Sequence, residues 1–174
     1  MKKLLLPLFI LIIATSCSSI KVTTDYDKDA GFASYKTYAF TPEAENLSID
    51  AINKGRILTA VANELNAKGF TKSDNPDVLI DLKIKAKQVQ TATTEYYGGA
   101  YRYRWGGGFS ATTIDVNTYV EGTLFVDMID VSKKQLVWQG RAVGTINPDA
   151  KPEKREANIN NAVKQVFMKY PPKF

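Results

Sequence analysis

Apolar and polar residues alternate with period two along several stretches of this chain and recur with a period near 3.6 along two others. These two rhythms predict its elements. Ile20, Val22 and Thr24 share one parity, and Tyr35-Lys36-Thr37-Tyr38-Ala39-Phe40 alternates again up to Thr41-Pro42, so two strands with a turn near Asp29-Ala30-Gly31 are expected. Ser48 is the expected N-cap of a helix reaching Lys68, with Ile49, Ile52, Leu58, Val61, Ala62 and Leu65 as its apolar stripe and Gly69 as its stop. After a turn over Lys72-Ser73-Asp74-Asn75-Pro76, Val78, Ile80, Leu82, Ile84 and Ala86 alternate with a face that is mostly lysine, which predicts a strand dry on one side. From Ile114 the alternation returns, with Val116, Val120, Leu124, Val126 and Met128 on one parity. A turn at Ser132-Lys133-Lys134 then leads to a hairpin partner over residues 136–142. Pro152 and Glu153 open a last helix, whose Ile159, Ala162, Val163, Val166, Phe167 and Tyr170 line one face, and Pro171-Pro172 closes it. The order β-β-α-β-β-β-α predicts an α+β domain, an antiparallel β-sheet with two helices packed on one face.

The first residues follow a different pattern. Lys2 and Lys3 precede an apolar run from Leu4 to Ile13, followed by small residues and a cysteine, the three regions of a bacterial export signal. The run falls well short of the roughly 20 residues that a bilayer-spanning helix needs. Ala14-Thr15-Ser16-Cys17 resembles a lipobox, which implies diacylglycerol on the Cys17 sulfur and cleavage before it. The alternative is an ordinary secretory signal with an incidental cysteine. Against it, Cys17 is the only cysteine, so it has no partner for an internal disulfide. The expected organisation is a lipoprotein signal peptide over 1–16, a lipid-anchored N-terminus and short linker over 17–24, and one domain over 20–174. Two or three acyl chains such as palmitate, each buried CH₂ adding about 0.8 kcal/mol, would hold such a protein firmly on a membrane. Losing Lys2 and Lys3 lowers the formal net charge of +5 by two. The remaining basic charge is modest and dispersed, which argues against nucleic acid as a partner and leaves only unspecific attraction to anionic headgroups.

Asp25-Tyr26-Asp27, Phe32 with Tyr35 to Phe40, Lys68-Gly69-Phe70, Pro76-Asp77-Val78-Leu79, Glu121-Gly122-Thr123-Leu124, Leu136-Val137-Trp138-Gln139-Gly140 and Tyr170-Pro171-Pro172 run in the order of a known family. Together they resemble the DUF4136 family of bacterial lipoproteins, widespread in the Bacteroidetes and of unknown function. The resemblance implies an envelope lipoprotein and brings no catalytic residues. In Bacteroidetes lipoproteins, acidic residues just after the cysteine resemble a surface-export signal. Ser18-Ser19-Ile20-Lys21-Val22 has none, so an outer-membrane anchor facing the periplasm is expected.

Composition narrows the chemistry. With no histidine, and a single cysteine assigned to the lipid, the usual zinc sites, Ser-His-Asp triads and Cys-His pairs are excluded. No Gly-Lys dipeptide exists for a Walker loop, and Gly106-Gly107-Gly108 lacks the spacing of a dinucleotide fingerprint. Asp25, Asp27 and Asp29 begin like a calcium loop, but Ala30 and Lys36 stand where glycine and a bidentate glutamate belong, so a solvated turn is expected. Glu121 and Asp127 share a strand face about 20 Å apart, too far for the roughly 5 to 9.5 Å of a glycosidase pair. Asp127 and Asp130 read as solvent-facing residues near a strand end. No catalytic residue, metal or cofactor is assigned.

The most unusual stretch is Tyr96 to Phe109, where five glycines interleave with six aromatic residues and two arginines. It is too rich in glycine for a regular strand. Tyr96, Tyr97, Tyr101, Arg102, Tyr103, Arg104 and Trp105 form the candidate binding surface, suited to sugar stacking, cation–π contacts, a membrane interface or a protein partner. The alternative is a hairpin tip whose rings fold back over the sheet edge. The leading expectation is a non-catalytic, lipid-anchored binding or scaffolding domain with an envelope protein or glycan as partner. The competitors are a carboxylate-based enzyme acting on an envelope polymer and a structural lipoprotein that supports envelope assembly. Two acids converging in one pocket would favour the enzyme. An apolar groove would favour protein contacts, and an aromatic platform with a polar floor would favour a glycan.

Overall fold

The computed structural model describes residues 20–97 and 111–173, the side chains of 95–97 and 111–114 excepted. Its strands are β1 (Lys21–Tyr26), β2 (Thr37–Phe40), β3 (Thr71–Lys72), β4 (Val78–Tyr97), β5 (Ala111–Asp130) and β6 (Gln135–Ile146), and its helices are α1 (Pro42–Glu45), α2 (Ala51–Ala67) and α3 (Pro152–Phe167). The strands form one sheet in the order β1-β6-β5-β4-β2-β3. The expected α+β class holds, with one refinement: β2 runs parallel to both β3 and β4, so the sheet is mixed. A parallel pair requires a crossover, and α2 supplies it between β2 and β4.

The core lies between the sheet and the α2–α3 pair. Val78, Ile80 and Leu82 of β4, Val126 and Met128 of β5, and Ile57, Ala60, Val61 and Leu65 of α2 meet Val163, Val166 and Phe167 of α3 there. α3 buries the face its sequence periodicity predicts. α2 differs at its start. Asp50, not Ser48, is the N-cap, because its carboxylate accepts from both the backbone N–H of Asn53 (2.9 Å) and the Asn53 side-chain amide (2.8 Å). Ile52, expected on the buried stripe, is 69% exposed, because at 3.6 residues per turn it lies about 140° around the helix from buried Ile57. Gly69 ends the helix with a φ of 85°, a conformation open to glycine at no steric cost.

A helix absent from the sequence reading, α1, forms where Thr41-Pro42 looked like a strand end. The Thr41 hydroxyl accepts from the Ala44 N–H at 3.1 Å, and Pro42 occupies the first turn. Asp77 ties the parallel strands together. One of its oxygens accepts from the backbone N–H of Lys36 and Thr37, each at 2.8 Å, and from the Thr37 hydroxyl at 2.9 Å. These backbone donors hold the Asp77 carboxyl below its usual pKa. On β6, a register shift between Met128 and Ile129 lets consecutive residues Val137 and Trp138 both be fully buried. Trp138 packs edge-on to Tyr170 with ring centroids 5.4 Å apart, and Phe32, Tyr35 and Phe70 extend this aromatic cluster.

β4 and β5 are each 20 residues long and pair in unbroken antiparallel register from Val78↔Asp130 to Tyr97↔Ala111. The expected strand stopped near Lys87, where the apolar alternation fades. Backbone pairing carries it ten residues further, because Thr- and Val-rich segments accept strand geometry without a buried face.

Candidate functional site

Three polar chains converge on the sheet face opposite the helices. Asp81 of β4 and Asp127 of β5 stand directly across from each other in register, 8% and 6% exposed. Lys83, two positions along β4 and therefore on the same face, places its ammonium 2.6 Å from Asp81 Oδ2 and 3.1 Å from Asp127 Oδ2. The other oxygens are also engaged. The Thr41 hydroxyl donates to Asp81 Oδ1 at 2.9 Å, the Leu82 N–H donates to the same oxygen at 3.0 Å, and Gln139 Nε2 donates to Asp127 Oδ1 at 2.7 Å. Burial pushes the Asp81 pKa up, but the Lys83 and Thr41 hydrogen bonds outweigh it and hold the group below its ordinary value. The Asp81 hydrogen bond in turn raises the pKa of Lys83.

This arrangement corrects the reading of Asp127 and Asp130 as solvent-facing. Both are buried, Asp130 at 4% exposure. Asp130 accepts from the Ser132 hydroxyl at 2.7 Å, the Lys133 N–H at 2.8 Å and the Tyr35 hydroxyl at 2.7 Å. Led by Ser132, these donors hold its pKa at about 2. Burial, reinforced by the neighbouring Asp130 carboxylate, pushes the Tyr35 phenol up. Strand alternation correctly assigned Asp127 to the outer face. The signal it lacked was the opposing Asp81 and the bridging lysine, which come from another strand.

A second feature lies where the helices diverge from the sheet. An apolar groove of about 470 Å³ opens between the N-terminal halves of α2 and α3 and the strands beneath, walled by Ile57, Ile84, Leu124, Ile146, Ile159 and Ala162. Asp50, Asn53, Arg155 and Asn158 are its main polar lining, and Ile20 reaches it from the chain start. Gly122 leaves room there for the end of the Ile146 side chain, whose Cδ1 lies 2.4 Å from where a Cβ would be. The Arg155 guanidinium is held by the carbonyls of Pro148 (2.9 Å) and Ala150 (3.3 Å). The sequence reading missed this groove, whose walls come from six separate segments.

Of the candidate surface, Tyr96 and Tyr97 fall inside β4, opposite Thr112 and Ala111, and not in an irregular loop. Tyr101, Arg102, Tyr103, Arg104 and Trp105 lie outside the described residues, as does Cys17. The carboxylates of Asp25 and Asp27 accept from the backbone N–H groups of Tyr26 and Asp29, each at 2.9 Å. Among the described residues no group of three acidic, His or Cys side chains is arranged to hold a metal ion, and no helix is long and apolar enough to cross a membrane.

A family model for DUF4136, a domain of unknown function, matches residues 22–172. The chain belongs to the DUF4136 family. The motifs that carried the resemblance are chiefly scaffold in this DUF4136 domain: Tyr35, Phe70, Trp138 and Tyr170 are buried in the aromatic cluster, and Asp77 clamps β2 to β4. Comparison with curated proteins gives no match. Among solved structures, a PDZ domain protein from Parabacteroides distasonis is similar at a TM-score of 0.56 and 20% identity, over 89% of this chain. The DUF4136 chain spans only 37% of that protein, so the likeness is one of fold. A PelC dodecamer from Paraburkholderia phytofirmans aligns at a TM-score of 0.49 and 13% identity, over 84% of this chain and 94% of its own.

Proposed function

We propose that this DUF4136 protein is a lipid-anchored envelope protein, held in the outer membrane through Cys17 and facing the periplasm, that scaffolds by binding a protein partner and carries out no reaction. The observation that carries the reading is the apolar groove. Pockets of about 300–1,000 Å³ with apolar walls and a few placed polar groups suit apolar ligands, whereas a glycan needs a polar floor. Ile20 lines the groove and lies three residues after Cys17, so the opening sits within about 10 Å of the anchor along an extended chain. The occupant is an apolar segment of another envelope protein. The enzyme reading gains one point from the convergence of Asp81 and Asp127. It loses it because Lys83, Thr41 and Gln139 engage their oxygens and Asp81 is held ionised, unlike a general acid tuned toward neutral pH.

Crosslinking and pull-down from intact cells tests the reading, with the wild type compared against Ala86→Trp, which fills the groove from an exposed position. The expected result is a protein captured by the wild type and lost in the variant at unchanged thermal stability. Identical capture by both, or recovery of a glycan instead, would overturn the groove as the contact. Cys17→Ala tests the anchor separately: the domain should leave the membrane fraction, and persistent association would count against lipidation.

A further inference from the structure

The β4–β5 hairpin outruns every strand that flanks it. β2 pairs with β4 only at Tyr38↔Val78 to Phe40↔Ile80, and β6 follows β5 only as far as Val120↔Ile146. Beyond Gln88↔Val120 the two strands continue as a two-stranded arm for nine more register pairs, about 30 Å at strand rise. Both backbone edges of this arm lack a neighbouring strand among the described residues. An isolated two-stranded ribbon is marginal in water, and an open edge is a template for another strand.

The side chains on β4 change character where the arm begins. Lys83, Lys85 and Lys87 line the lower part of the strand, the device that normally blunts an edge. From Gln88 to Tyr97, and from Ala111 to Val120, there is no lysine, arginine or proline, and Glu95 and Asp115 are the two charges. Thr91, Ala92, Thr93 and Thr94 face solvent, Val116 is 55% exposed and Tyr119 is 36% exposed. Register sorts the faces: Ala92↔Val116 and Gln90↔Thr118 share the uncharged side, while Thr91↔Asn117 and Thr93↔Asp115 share the other.

We infer that the arm is a self-association element in which the outer edge of β4 pairs, antiparallel, with the outer edge of β5 from a second copy of this chain. The two edges suit each other because β4 and β5 already pair with each other in this register. Stacking arms as β5-β4, β5-β4 repeats that relationship and keeps the uncharged faces on one side of the extended sheet. Little charge opposes the approach, and each junction satisfies about ten backbone hydrogen bonds left open in a single copy. Because the two edges differ, the contact is head-to-tail, so assembly either closes as a ring or extends as an open filament.

Two differently tagged copies, one carrying Thr91→Cys and the other Asn117→Cys, are co-expressed as full chains and treated with a short bis-maleimide in intact cells; chains without an added cysteine control for Cys17. The expected product is a crosslink between the two tags, at least tenfold above the Thr91→Cys homodimer, with native mass spectrometry of the purified wild type giving more than one copy. Thr93→Pro, added to both cysteine-bearing copies, breaks strand pairing in the arm, leaves the sheet below Gln88 intact, and should reduce the crosslink at least tenfold and give a single copy. A second variant joins Gln88 to Val120 through Asn-Gly, removing the arm altogether, and should also be a single copy. A single-copy wild type without a crosslink between tags overturns the inference. So does a dominant Thr91→Cys homodimer, which would mean two-fold pairing of β4 edges, or assembly that survives loss of the arm.

Discussion

The Tyr35 hydroxyl donates a 2.7 Å hydrogen bond to Asp130 Oδ2, joining residues 95 positions apart. Tyr35 precedes β2 and Asp130 ends β5, so this bond ties the segment leading into the parallel strand to the base of the long hairpin. A buried carboxylate with three donors is stabilising only while it is ionised.

Asp130→Asn should therefore cost about 2 kcal/mol at pH 7, and the cost should depend on pH. The native pKa of about 2 lies below the ordinary value of 3.8. The contribution is full above the higher value and is lost as pH falls toward the lower one. Urea unfolding at pH 7, 4 and 2.5 should show the gap between wild type and variant shrinking with acid. A gap independent of pH would mean that the side chain matters for shape and not for charge.

Lys83→Met leaves Asp81 and Asp127 facing each other with no cation between them. The lysine side chain is 57% exposed, so solvent screens part of the loss, and about 1–2 kcal/mol is expected. Adding Asp81→Asn should recover most of it. Simple additivity in a double-mutant cycle would show that the bridge carries no coupling.

Two glycines separate rigid from yielding contacts. A Cβ at Gly140 would lie 2.4 Å from Val166 Cγ1 and 2.6 Å from the Trp138 ring, both in the packed core. Gly140→Ala should cost about 1–3 kcal/mol by overpacking. At Gly122 the obstacle is the end of Ile146, which is 43% exposed and free to turn, so Gly122→Ala should cost under about 1 kcal/mol. Thermal melts compare them directly, and equal losses would contradict this division.

The Tyr170 hydroxyl is buried with no hydrogen-bond partner among the described residues, and burial pushes its pKa up. Tyr170→Phe keeps the ring against Trp138 and Phe32 while removing a desolvated polar group. Stability should stay level or rise by about 1 kcal/mol. A clear loss in denaturant titration would reveal a bond to that hydroxyl.

The chain by itself determined the elements whose burial is local and periodic. The face of α3, the dry face of β4 as far as half-buried Ile84, the parity of β5 and the stop at Gly69 could all be read, because spacing along one segment fixes which side chains share a face. Ala86, expected to continue that face, is exposed. Family membership was legible too, through motifs whose residues turn out to pack the aromatic cluster and clamp β2. Only the tertiary structure decided the features made between segments. Asp127 looked exposed because alternation marks an outer face as wet, and it took Asp81, Lys83 and Gln139 from two other strands to cover it. The parallel pairing of β2 depends on the path of α2, the groove on where two helices diverge from a sheet, and the arm on a partner strand that supplies backbone bonds where apolar alternation has ended. Such contacts depend on distance in space, which no periodicity along a single chain encodes.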